Sequence, residues 1–307
     1  MTYNMLLIDT QNSFCKEDGS LFVGGRSGNG AATDVKTLSN FININSTEIN
    51  NVFATFDAHK SLHIFSPNFW VDTNNKNPEP FSMISKDDMV KQVFKPSNIA
   101  VEYVKTFKLK TDSYKEAENW LNKYVLFYAD ELEKSGGYIL TIWPVHCVVG
   151  TEGFNMHEDI LKSILSNKIN FEPILKGTDV MTENYSFIAP EVSKSHDNKY
   201  MFGDGYKNIA NLYKGGDKLL IAGEAASHCV KWSVDHLLQK LNEENPELIS
   251  RTYILQDCMS AVAIPDGEGG FVADFTASVE DALHDWKTKG LNIVNSEDMN
   301  MNYKYDM

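Results

Sequence analysis

Six short apolar runs punctuate the chain: Met5–Ile8, Asn51–Phe56, Tyr138–Ile142, Leu219–Ala222, Tyr253–Leu255 and Leu291–Val294. They are bounded by polar turns and show no in-out alternation, the pattern of strands buried on both faces of a parallel sheet. Helical patterns lie between them, at Ala31–Ile44, Glu158–Leu165, Cys229–Leu241 and Ala277–Lys287. This alternation predicts an α/β fold: a doubly wound, mostly parallel sheet with helices on both faces. Such sheets bind ligands beyond the carboxyl ends of their strands. Asp9, Asp57, His59, His146 and Glu224 each follow a predicted strand.

One stretch breaks the rhythm. From Ile64 to Gly137 the chain carries Pro67, Pro78, Pro80 and Pro96, many aromatics and an amphipathic run from Tyr114 to Lys134. It reads as an insertion, about residues 64–137, within one domain spanning 1–307: loops near the site, then a helix on the sheet edge. Both of its ends adjoin candidate site residues. It is therefore expected to cover the pocket, with Phe65, Phe69, Trp70 and Phe81 as an apolar wall. The alternative is padding of the sheet edge or of an oligomer interface. Residues 299–307 read as a frayed tail.

Composition narrows the partners. The chain has 307 residues, 42% of them hydrophobic, enough for a full core. Twenty-eight basic against 42 acidic residues give a net charge of -14, which argues against nucleic acid or an anionic membrane. No apolar run approaches the roughly 20 residues that cross a bilayer. Met1–Asn4 lead into the first strand without a basic segment, so the expectation is a cytoplasmic protein with no signal peptide. A small molecule is the expected partner, with homo-oligomerisation left open. The four cysteines form no CxxC pair and are expected to be reduced.

The chemistry centres on Cys229. The run Lys218–Ala222 ends in small residues, and a helix is predicted to start at Cys229. A helix N-terminus favours an anion and so a reactive thiolate; the alternative is a buried structural cysteine. Asp9, beside Gln11 and Asn12, is a candidate base for that thiol, or a turn residue. Asp57-Ala58-His59 and His146 suit a divalent metal, and His63 is either a fourth ligand or packed behind the others. Lys176, if it points inward, would lower the thiol pKa and stabilise developing negative charge. Cys147 is a rival nucleophile without so clear a helix start. His228 and His236 are rival bases, but His228 is expected to point away on its turn and His236 lies two turns into the helix.

These blocks resemble the isochorismatase-like cysteine hydrolases, and within them the nicotinamidases. The match rests on Ile8-Asp9-Thr10-Gln11-Asn12-Ser13-Phe14 with Gly19-Ser20-Leu21, Phe56-Asp57-Ala58-His59, Trp143-Pro144-Val145-His146-Cys147 with Gly150-Thr151, Lys176-Gly177, and Gly223 to Val230. It spans about residues 3–63 and 138–296. The resemblance implies a triad of Asp9, Lys176 and Cys229, and one divalent ion on Asp57, His59 and His146, with zinc ahead of iron or manganese. It also implies a cis peptide between Glu224 and Ala225 in the oxyanion loop. A nicotinamide ring would lie between Phe14 and Trp143 and be hydrolysed to nicotinic acid and ammonia through a thioester, a step of pyridine nucleotide salvage. Family hydrolysis of another small amide, ureide or vinyl ether is the alternative, and a non-catalytic binding protein on the same fold is a third reading. Glu224 stands where an apolar residue is usual, Ser227 where an aspartate is usual, and the insertion is long.

Overall fold

The computed structural model describes residues 2–203 and 205–299. Six strands form its main sheet: β1 (Tyr3–Ile8), β2 (Ile49–Asp57), β3 (Asn170–Lys176), β4 (Lys218–Gly223), β5 (Thr252–Leu255) and β6 (Asn292–Val294). Their order is β6-β5-β4-β1-β2-β3, and every pairing is parallel. The chain builds outward from β1 on one side, then crosses back to begin β4 on the other. The switch point therefore falls at the carboxyl ends of β1 and β4, where such sheets open a crevice.

Successive side chains along a strand point to opposite faces, and both faces are covered. Leu6, Ile8, Phe53, Ile174, Leu219 and Ile221 join one cluster, while Met5, Leu7, Val52, Ala54, Leu220 and Ala222 join the other. Five helices matter: α1 (Gly30–Ile44), α2 (Tyr114–Ser135), α3 (Glu158–Ser166), α4 (Lys231–Glu244) and α5 (Thr276–Thr288). The apolar faces of α1 and α3 close the second cluster. Those of α2 and α4 close the first, together with Ala282 and Trp286 of α5.

One predicted strand is misplaced. Of Tyr138–Ile142 only Leu140–Thr141 pairs, antiparallel, with Met83–Ile84 of the insertion. The sheet edge is instead β3, whose run Asn170-Phe171-Glu172-Pro173-Ile174-Leu175-Lys176 is partly exposed and holds a proline. An edge strand tolerates proline and polar residues, so it lacks the continuous apolar signature. His146 thus follows a loop, not a sheet strand.

The insertion holds two small antiparallel pairings, one to Leu140–Thr141 and one between Trp70–Asp72 and Phe94–Pro96, followed by α2. Ser113 caps α2 by accepting from the Glu116 N–H, and Gly136 ends it in the left-handed region. Tyr124 of α2 donates to the Met181 carbonyl at 2.6 Å, and Trp120 donates to Asp197 at 3.1 Å. These bonds tie the helix to the chain that follows β3. Met299 is buried at the end of a turn over Ser296–Met299, against the expected fraying there; the rest of that tail, 300–307, lies outside the described residues.

Candidate active site

Four side chains converge where β1, β2, β3 and β4 end. Asp9 follows β1 with φ at 46°; its carboxylate accepts from Thr55 at 2.5 Å. Lys176 Nζ at the end of β3 lies 2.8 Å from Asp9 Oδ2 and 2.5 Å from Asp57 Oδ1. It also donates to the Asn184 carbonyl at 2.8 Å and reaches Cys229 Sγ at 3.6 Å. The parallel register of β2 and β3 sets Asp57 opposite Lys176. Close contact of β1 and β4 brings the loop of Cys229 alongside: a Cβ on Gly223 would lie 2.0 Å from the Ile8 carbonyl oxygen.

Burial and the charges around Lys176 compete over the protonation of this cluster. Burial raises the Asp9 pKa despite Lys176. For Asp57 burial pulls upward, but Lys176 and then His59 outweigh it and hold the carboxyl far below its usual range. Burial pulls the Lys176 pKa down, but Asp57 and Asp9 outweigh it, and the ammonium stays charged. The Cys229 thiol is pushed well up by burial, against the opposing pull of Lys176. The sequence suggested a standing thiolate favoured by a helix N-terminus. The structure instead sets the thiol beside a carboxyl in a dry site, where burial favours its protonated form.

Asp57 faces two imidazoles with its other oxygen. His59 Nε2 lies 3.4 Å and His146 Nε2 4.0 Å from Asp57 Oδ2. His59 Nδ1 sits 2.9 Å from the Gly177 carbonyl, and His146 Nδ1 2.7 Å from the Pro144 carbonyl. Carbonyls accept, so both Nδ1 atoms carry hydrogen and both Nε2 atoms present lone pairs, the arrangement metal-binding histidines use. His59 Nε2 is buried with no hydrogen-bond partner. Asp57, His59 and His146 form a group that could hold a divalent ion, their candidate ligand atoms all within 4.8 Å of one another. His63 is outside that group; its ring is buried 4.9 Å from that of His59 and 4.0 Å from that of Phe65. Gly177 also belongs to this geometry, since with φ at 67° a Cβ there would strike His59 Cε1 at 2.5 Å.

The loop before Cys229 has a cis peptide between Glu224 and Ala225. Ala226–Val230 then wind as one wide π-type turn that runs into α4. Among the described residues the Ala225 N–H has no hydrogen-bond acceptor, while the Ala226 N–H is held by the Ser260 carbonyl at 2.8 Å.

A cavity opens over these groups. Phe14 and Trp143 lie on its wall, with Asp57, His146, Ala225 and Cys229 at the chemical end. No residue of 64–137 lines it, so the insertion is not a wall of the pocket. Phe69 and Trp70 are fully buried in the core cluster that also takes in Leu6, Ile8 and Phe53 of the sheet. Phe65 and Phe81 act from behind: Phe65 stacks on His146 at 5.1 Å, and Phe81 meets Trp143 edge-on at 6.1 Å.

His228 also lines the cavity, contrary to the expectation that it turns away. It stacks on Tyr138 at 4.6 Å, and burial, then Lys231, lowers its pKa to about 3. Cys147 is buried with its pKa pushed up by burial, and His236 lies on α4 beside Trp232, so neither is on the cavity wall. Sequence reasoning missed Glu183, Tyr185 and Val262 there. Glu183 and Tyr185 stand in the polar and aromatic run Glu183–Phe187 after Lys176, a signal without a role; Val262 sits in a loop that carries none.

Compared by sequence, the chain matches no family model and no curated protein. Compared by structure, it superposes on a nicotinamidase pyrazinamidase of Acinetobacter baumanii with a TM-score of 0.53 at 18% identity, covering 97% of this chain and 98% of that one. It likewise superposes on the yeast nicotinamidase Pnc1p bound to the inhibitor nicotinaldehyde, with a TM-score of 0.55 at 18% identity, covering 96% and 100%. The chain has the fold of these enzymes.

Proposed function

We propose that the chain is a metal-assisted cysteine amidohydrolase of the isochorismatase-like, nicotinamidase type, converting nicotinamide and water to nicotinic acid and ammonia. The observation that carries this reading is Lys176: one ammonium touches Asp9, Asp57 and Cys229, joining a thiol and its base to a His-His-Asp group in one cavity. The shared fold supports it.

Asp9 takes the proton from Cys229 as sulfur attacks the carboxamide carbon. Lys176 stays protonated and holds the Asp9 carboxylate toward the thiol. The oxyanion forms beside the Ala225 and Cys229 N–H groups, donors that are worth most where charge develops. Asp9 returns its proton to nitrogen as the C–N bond breaks and ammonia leaves. Asp9 next takes a proton from water, which attacks the thioester; the C–S bond breaks, and the sulfur recovers that proton. A divalent ion on Asp57, His59 and His146 would supply a Lewis acid to anchor and orient a pyridine nitrogen. Phe14 and Trp143 would hold the ring.

Glu183 and His228 on the cavity wall favour a second reading, a small amide or ureide with a further polar group. Ammonia release from a panel of small amides, with and without chelator and beside Cys229→Ala, separates the two. No release from nicotinamide, with release from another amide, would replace the first reading by the second.

A further inference from the structure

Glu224, the residue that opens the cis peptide, is 1% exposed. Its side chain leaves the cavity and enters the opposite face of the sheet, where it meets Asp34 of α1, itself 8% exposed. Glu224 Oε2 accepts from the Ser260 N–H at 3.3 Å, and Ser260 Oγ donates to Asp34 Oδ2 at 2.5 Å. Both carboxyls thus meet at one serine, and each weighs on the other's protonation. Space around Ser260 is tight: a Cβ on Gly30, at the start of α1, would lie 2.5 Å from its Oγ. Among the described residues no lysine, arginine or histidine pairs with either carboxyl. Two carboxyl oxygens can hydrogen-bond only through a proton, and two like charges in one dry site cannot both persist.

We propose that Glu224 is a positioning residue for the proposed reaction, clamping the backbone of residues 224–226 to α1 and Ser260 through a proton shared with Asp34, so that the Ala225 N–H faces the oxyanion. Ser260 serves both sides of the clamp. Its N–H holds Glu224 and its carbonyl holds the Ala226 N–H, and the next contact along, Val262 N–H to Ser227 Oγ at 3.0 Å, ties down the residues just before Cys229. The other titratable groups facing the pair are acidic or thiol: Asp257, Cys15 and Cys258. None offers a positive charge, and burial raises both carboxyls of the pair. Rising pH therefore removes the shared proton and leaves two carboxylates to repel, so the loop loosens on the alkaline side.

This inference rests on the amidohydrolase reading for its effect on turnover, and loop order tests it separately. The variants are Glu224→Leu, which removes the clamp, and Glu224→Gln, whose amide can donate to Asp34 and accept from Ser260 without a titrating proton. Amide hydrogen exchange of residues 222–230 is compared across pH, with kcat and KM for a hydrolysed amide. Expected for Glu224→Leu is exchange at least about tenfold faster and kcat lower by about tenfold or more, with KM within about twofold. Glu224→Gln recovers most of both and loses the alkaline rise in exchange. Exchange in Glu224→Leu equal to that of the wild type would overturn the clamp whether or not any amide is hydrolysed. Faster exchange with unchanged kcat would overturn the positioning role. Turnover by no variant, the wild type included, would instead sink the amidohydrolase reading, and exchange would still decide the clamp.

Discussion

Two pairs of buried carboxyls flank the loop that carries Cys229, and they settle their charge by opposite means. Asp9 and Asp57 share the Lys176 ammonium. Glu224 and Asp34 have no cation among the described residues and meet through Ser260 and each other. In the first pair Lys176 holds Asp57 ionised and opposes the burial that raises Asp9, leaving a more basic carboxyl beside the thiol. In the proposed clamp the second pair keeps a hydrogen bond that exists only while a proton is present, which suits holding a backbone in place. Burial alone does not decide what a carboxyl does; the identity of the neutralising partner does.

The comparison breaks first at the nucleophile. Cys229→Ala is expected to lower ammonia release by about 10³-fold or more, while the urea midpoint stays near that of the wild type. Near-normal release would remove Cys229 from the mechanism. Lys176→Met converts the first pair into one without a cation and is expected to cost about 3–5 kcal/mol of stability, read by urea unfolding. A loss below about 1 kcal/mol would mean that the two pairs are not as different as drawn.

Phe69→Ala provides the apolar control, a buried core side chain that does not line the cavity. It should cost about 3–5 kcal/mol and leave the relative rates on an amide panel unchanged; a shifted substrate preference would restore the insertion as a pocket wall. His146→Ala should remove bound metal, read as metal per chain by elemental analysis, and should leave the second pair's loop order untouched. Metal retained in full would strike His146 from the ligands.

The smallest effect sharpens the second pair. Both of its pKa values are raised in the folded protein, so the folded state binds the extra proton. Its stabilisation is fully present below the unfolded carboxyl values and is lost as pH rises through the folded ones. Urea stability from about pH 5 to about pH 8 should therefore fall less steeply in Glu224→Gln than in the wild type. Equal slopes would show that the pair does not titrate there.

Much of this arrangement was legible in the sequence, and the failures have physical causes. Asp9, Asp57, His59 and Cys229 follow strands whose apolar runs are continuous, so their placement at strand ends could be read directly. Lys176 was placed through the family resemblance and not by its strand, because β3 is an edge strand with Pro173 and exposed polar positions. His228 was expected to point away, yet the wide turn over Ala226–Val230 rotates it into the cavity; that turn leaves no mark in the residues. Glu224 could be seen as a departure from a pattern, but its partner Asp34 lies on another helix, and only the packing of α1 on the sheet brings them together. Phe69 and Trp70 show that aromatics near a site by sequence can serve the main core and not the pocket.

Asp57 and Lys176 are 119 residues apart in the chain and pair side by side in the sheet. Residues 64–137 make up most of that separation. The entropy of closing a loop grows only with the logarithm of its length, so the extra chain adds on the order of 1 kcal/mol to bringing those strands together. The insertion buries its aromatics in the main core and returns through the short pairing of Leu140–Thr141 with Met83–Ile84, offsetting that added cost. A lineage can thus lengthen this connection greatly while the distance between Lys176 and Asp57 stays fixed, because that distance is set by the register of two neighbouring strands and not by the path between them.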